Sequence, residues 1–120
     1  MTFLLAAALL MFPSPYHPPP KPHYFQEASR GSGLVAMPVE VTCYVLRGTT
    51  YTGTQAGPGS VAVDPRVIPL GSRLFVPGYG DGMAVDTGKD IVGSHIDIWI
   101  SDEQTCLNWG VKRAWVTVER

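Results

Sequence analysis

From Val39 onward, short apolar runs are cut every few residues by glycine, proline or a glycine-rich turn, and within the runs apolar and polar residues alternate. Alternation with period two puts one face of a strand in a core and the other outside it. "VEVTCYVL" sets Val39, Val41, Cys43 and Val45 against Glu40, Thr42, Tyr44 and Leu46. "VAV" is a short apolar strand ending at Asp64, "RLFVP" and "MAVD" are two more parted by the turn "GYGDG", and "HIDIWI" and "KRAWVTV" follow. "DPRVIPLGS" reads as a tight turn, with Asp64 as cap, Pro65 suited to the first position of a short helix and Gly71 to end it. "SDEQTCLNWG" carries helix grammar: Ser101 as N-cap, Gln104 as capping-box partner and Gly110 as the stop. About six short strands with one or two short helices predict an all-β fold, a small closed or nearly closed barrel that leaves no long strand edge open.

The chain has 120 residues, room for one domain, and its N-terminal part is of a different kind. Residues 1–12, "MTFLLAAALLMF", are too short to span a bilayer as a helix and about right for a secretory signal. No Lys or Arg precedes the apolar run, so a truncated membrane anchor or a stray apolar tail stays open. Residues 13–38 begin "PSPYHPPPKP", where proline removes amide donors and fixes φ; they read as an extended spacer and irregular linker preceding a domain at 39–120. A secreted or cell-envelope protein is expected, its first residues cleaved or kept as an anchor. Nine Lys and Arg stand against ten Asp and Glu, a net charge of -1 with no basic stripe, which excludes nucleic acid as the expected partner. The two cysteines, Cys43 and Cys106, either form one disulfide or are buried free thiols.

Three aspartates stand at or inside apolar strands, in "VAVDP", "MAVDTG" and "HIDIW", whereas Asp81, Asp90 and Asp102 lie in polar context. Asp64 precedes proline, where a carboxylate caps a turn as readily as it does chemistry. Asp86 ends a strand and suits an Asx-turn, with Gly88 supplying a positive φ. Asp97 differs, because a mid-strand position offers no free amides of its own segment; it is either a chemical group or a solvent-facing residue on the outer face beside His95 and Trp99. Carboxylates converging in a cleft would raise at least one pKa and make a group able to give and retake a proton. A bound metal ranks low, because no loop has the acidic spacing of a calcium site, and no G-x-S-x-G is present. His95 shares a face with Asp97 and either tunes it, stacks on a sugar, or is a lone exposed histidine. Tyr79, Trp99 and Trp109 are either stacking platforms or core.

The ordered string "VAVDP", "IPLG", "PGYG", "DTG", "HID" and "WG" resembles the three-aspartate, or 3D, domain of membrane-bound lytic transglycosylase A and of stationary-phase and resuscitation-type cell-wall proteins. The likeness covers roughly Val39 to Arg120. It implies a six-stranded double-psi β-barrel that cleaves the glycan strands of peptidoglycan between N-acetylmuramic acid and N-acetylglucosamine, leaving a 1,6-anhydro end. A monomer with no cofactor or metal is expected. By motif, Asp97 falls on the catalytic acid/base, Asp64 and Asp86 on supporting aspartates, and Thr42 and Tyr44 on first-strand residues near the glycan groove. A non-catalytic glycan-binding or wall-loosening module on the same barrel is the alternative. The chain departs from the usual pattern after "DTG": Lys89 replaces a second glycine, and Val92 stands where a lysine is usual. A cation at Lys89, close to substrate and carboxylates, would favour their ionised forms.

Overall fold

The computed structural model describes residues 33–119; the apolar run at 1–12 and the spacer through residue 32 lie outside the described residues. The elements are β1 (Leu34–Tyr44), β2 (Ser60–Ala62), β3 (Arg73–Val76), β4 (Gly80–Asp86), β5 (His95–Trp99), α1 (Glu103–Trp109) and β6 (Lys112–Glu119). The strands close into a barrel in the order β1-β5-β2-β4-β3-β6. β1 with β5 and β2 with β4 are parallel, and the other pairings are antiparallel. The fold is therefore all-β, a closed six-stranded barrel of double-psi type with one short helix.

Alternation builds its interior. Val39 and Val41 of β1, Val61 of β2, Leu74 and Val76 of β3, Ile96 and Ile98 of β5, and Val116 and Val118 of β6 are all buried. Each such side chain contributes roughly 2 kcal/mol through removal from water. Across the barrel wall the register keeps faces together: Val41 stands opposite Ile96, and Thr42 opposite Asp97.

The first strand starts earlier than the sequence pattern suggests. Leu34 to Val39 pair with Glu119 to Ala114 of β6 and are strand, not linker. Pro38 masks this in the sequence. It is tolerated because β5 joins β1 only from Glu40 onward, so at Pro38 one side of β1 has no strand neighbour to serve. "DPRVIPLGS" makes a turn without becoming a helix: the amides of Val67 and Ile68 both donate to the Asp64 carbonyl at 2.9 Å. In α1 the N-cap is Asp102, not Ser101; its carboxylate accepts from Thr105 N, and Gln104 donates instead to Asn108. Gly110 ends the helix with φ 65° as expected.

The helix buries none of its residues fully, and other ties hold it. Cys43 and Cys106 are joined in a disulfide with Cα atoms 5.7 Å apart, fixing α1 to β1. Trp109 Nε1 also donates to the Val41 carbonyl at 3.2 Å.

Candidate active-site groove

Four residues in adjacent strands form one layer on the outer face of the barrel. Thr42 of β1 stands opposite Asp97 of β5, Asp97 opposite Ala62 of β2, and Ala62 opposite Asp86 of β4. The last step depends on a bulge. Val61 pairs with Ala84, but the register then slips so that Ala62 meets Asp86, not Val85. Without that slip strand alternation would send Asp86 to the other face. In the register the small Ala62 stands between the two carboxylates, and a groove of about 330 Å³ opens there, lined by Tyr44, Leu46, Thr49, Ala62, Asp86 and Asp97 among others. A larger concavity of about 540 Å³ over β3, β4 and β6, bordered by Phe75 and Met83, contains none of the three strand aspartates.

Asp97 is half-buried on a rigid strand, and Thr42 Oγ1 donates to its Oδ1 at 2.9 Å. Burial pushes its carboxyl above the ordinary carboxylate range, opposed by the Thr42 hydrogen bond and the nearby His95, with the charge of Asp86 adding to the upward push. Asp86 has two jobs. Its Oδ1 accepts the backbone amides of Tyr51 at 3.0 Å and Thr87 at 2.9 Å, while Oδ2 faces the Tyr44 hydroxyl at a long 3.5 Å. Burial, then the charges of Asp86 and Asp97, pushes the Tyr44 phenol upward, so it stays a neutral donor.

Asp64 is elsewhere in both position and state. It is 4 % exposed, and its two oxygens accept Arg66 N at 3.0 Å, Arg66 Nε at 3.0 Å, an Arg66 terminal nitrogen at 2.9 Å and Gly93 N at 2.8 Å. The Arg66 side chain, followed by the Gly93 and Arg66 amides, holds this carboxyl well below the usual range. It ties the turn after β2 to the loop before β5 and does not line the groove. Among the described residues no cluster of three His, Cys, Asp or Glu side chains is placed to hold a metal ion.

His95 Nε2 lies 2.8 Å from Thr42 Oγ1, in the same layer of contacts as Asp97. Lys89 is exposed in the turn after β4, and neither the groove lining nor any ion pair among the described residues includes it. Gly88 does not have a positive φ; its lack of a side chain matters because a Cβ there would sit 2.9 Å from Ile91 Cγ1. The aromatics divide in the same way. Trp99 is buried with Nε1 donating to the Leu46 carbonyl, and Tyr79 donates to the Trp99 carbonyl at 2.7 Å while accepting Gly59 N. These are packing roles. Tyr51, which the sequence pattern passes over, is 71 % exposed beside Asp86 on a loop knitted by Thr50, Thr52 and Thr54. The threonine run "TTYTGT" is the signal that could have found it.

Comparison with known proteins places this architecture. The chain is 39% identical over 97 residues to the cell wall-binding protein YocH of Bacillus subtilis, which covers 78% of this chain and 34% of that protein. It is 41% identical over 75 residues to the putative cell wall shaping protein YabE of the same organism, covering 59% and 18% respectively. A SPbeta prophage-derived uncharacterized protein, YorM, is 38% identical over 79 residues, covering 63% and 32%. The chain thus spans about a third or less of the length of these relatives. The family model for the 3D domain matches residues 59–119, from the residue before β2 to the end of β6, and with half its length so matched the chain belongs to the 3D-domain family.

Proposed function

We propose that this protein acts in the bacterial cell wall as a lytic transglycosylase on peptidoglycan glycan strands, with Asp97 as its single acid/base. The observation that carries this reading is the state of Asp97: a half-buried carboxyl on a rigid strand, pushed toward its protonated form at the wall of an open groove. A glycoside hydrolase divides its work between two carboxylates. In lytic transglycosylation the muramic acid's own 6-hydroxyl is the nucleophile, so one group suffices. Asp97 gives its proton to the glycosidic oxygen as the bond from that oxygen to the anomeric carbon breaks. The 6-hydroxyl oxygen then bonds to that carbon, and its proton returns to Asp97. Asp86 and Tyr44 sit where they would hold sugar hydroxyls or the N-acetyl group, and Asp64 supports the loop.

The relatives' names speak of cell wall binding and shaping, which supports a wall polymer as the ligand. The disulfide suits an oxidising compartment and so an exported or envelope-bound chain. Those same names favour the second reading, a glycan-binding module without turnover. Incubating the purified protein with wall sacculi and weighing the products separates the two. Anhydromuropeptides that vanish in Asp97→Asn support the enzyme. Co-sedimentation without product, unchanged in Asp97→Asn, supports the binding module.

A further inference from the structure

Thr42 has one hydroxyl proton and three neighbours competing for it. Its Oγ1 is 2.8 Å from His95 Nε2, 2.9 Å from Asp97 Oδ1 and 3.4 Å from the Ile96 carbonyl. A threonine hydroxyl donates once and accepts through its lone pairs, whereas an ionised carboxylate only accepts. The tautomer of His95 therefore decides the direction of the whole chain of contacts. With a bare Nε2, histidine takes the Thr42 proton and Asp97 Oδ1 is left facing an oxygen lone pair. With a hydrogen on Nε2, histidine donates to Thr42, and the nearest remaining acceptor for the Thr42 proton is the Asp97 carboxylate.

We propose that His95, protonated on Nε2, is a positioning residue that locks the Thr42 hydroxyl onto Asp97 Oδ1 and so reserves Oδ2 as the oxygen that carries the transferred proton. The proposal rests on the reading of Asp97 as acid/base. An oxygen already accepting a hydrogen bond is the poorer site for the acid proton, so protonation falls on Oδ2. When Oδ2 gives that proton to the leaving oxygen, the Thr42 donor steadies the carboxylate that remains, and the proton from the 6-hydroxyl returns to Oδ2. His95 and Thr42 themselves lose and gain nothing over the cycle. The charged surroundings of the relay are Glu40 of β1, the register partner of His95, with Arg113 of β6 opposite Glu40 in turn. Asp86 of β4 stands beyond Ala62, and the β2 residues paired with β5, Val61 and Ala62, are apolar.

The test needs no turnover. Imidazole nitrogen NMR on the full chain reads the tautomer, His95→Gln identifying the His95 signals among the three histidines. The expected result is hydrogen on Nε2 of neutral His95. Carboxyl-carbon NMR then follows the Asp97 titration. Thr42→Val and His95→Ala should each move it upward by about one pH unit, the double variant no further than either, while His95→Gln, whose amide can still donate to Thr42, restores it. Hydrogen on Nδ1, or an Asp97 titration that moves in Thr42→Val and stays put in His95→Ala, would overturn the proposal. Missing anhydro product with the expected NMR pattern would instead count against the enzyme reading and leave the relay standing.

Discussion

Asp64 and Asp97 are carboxylates in strand context of one small barrel, and their surroundings drive them in opposite directions. Asp64 is the more deeply buried, yet four nitrogen contacts from Arg66 and Gly93 saturate it and hold it ionised. Asp97 is less buried but has one hydroxyl donor, so desolvation is under-compensated and the proton is held more tightly. Burial alone does not set which way a carboxyl's pKa moves. The number and charge of the donors does. A saturated carboxylate has no lone pair left for a substrate, and a half-satisfied one on a groove wall has both a proton to give and a place to take it back.

The largest way to break this contrast is at Asp97. Asp97→Asn is expected to cut anhydro-product release from sacculi by about 100-fold or more, general acid–base catalysis contributing roughly 10² to 10⁴, with thermal unfolding close to that of the wild type. Loss of folding in step with loss of product would make Asp97 a second Asp64. The disulfide comes next. It closes a separation of 63 residues between β1 and α1, and by the chain-entropy model its removal costs about 4 kcal/mol. Urea unfolding with and without reductant measures this. Cys43 sits between Thr42 and Tyr44, so amide exchange in the reduced protein should rise first along β1, on the groove side, and last in the turn that Asp64 caps. At Asp64 the expectation is reversed relative to Asp97: Asp64→Asn lowers the melting temperature by roughly several degrees. Product release per folded molecule is retained.

The core and the special standing of Asp97 were legible because both rest on local alternation: Ile96, Ile98 and Ile100 mark one face, and an aspartate between them has no turn to cap. Asp64 was legible only as an open choice, since its answer depends on Gly93, far along the chain, and on which way Arg66 folds back. Asp86 was harder still. Its place in the groove follows from a register slip against β2 that no single-strand pattern encodes. The same limit hid the start of β1, where Pro38 looks like linker until its one-sided pairing is known, and Tyr51, whose importance comes from an amide contact to a carboxylate 35 residues away. Pairing of Cys43 with Cys106 likewise needed the helix to be docked.

The smallest expected effect is also the sharpest on the contrast, because the two carboxylates should bend the stability curve on opposite sides of the ordinary carboxylate value near 3.9. Above that value, up to the raised pKa of Asp97, the native state keeps a proton that the unfolded chain has released. Stability contributed by Asp97 is thus fully present below the unfolded value and is lost as pH rises through the folded one. Asp64 has the other sign. Below the ordinary value, down to its lowered pKa, the unfolded chain binds a proton that the native state refuses, so its contribution is present above that value and is lost as pH falls. Urea midpoints measured between about pH 2 and pH 7 should therefore show Asp97→Asn flattening the decline above roughly pH 4, and Asp64→Asn flattening the loss below it. Exposure of the groove and of the Arg66 side chain screens both charges, which keeps the slopes shallow. If the two variants exchanged limbs, donor count would not be what divides these aspartates, and the acid/base role would have to be sought at Asp64.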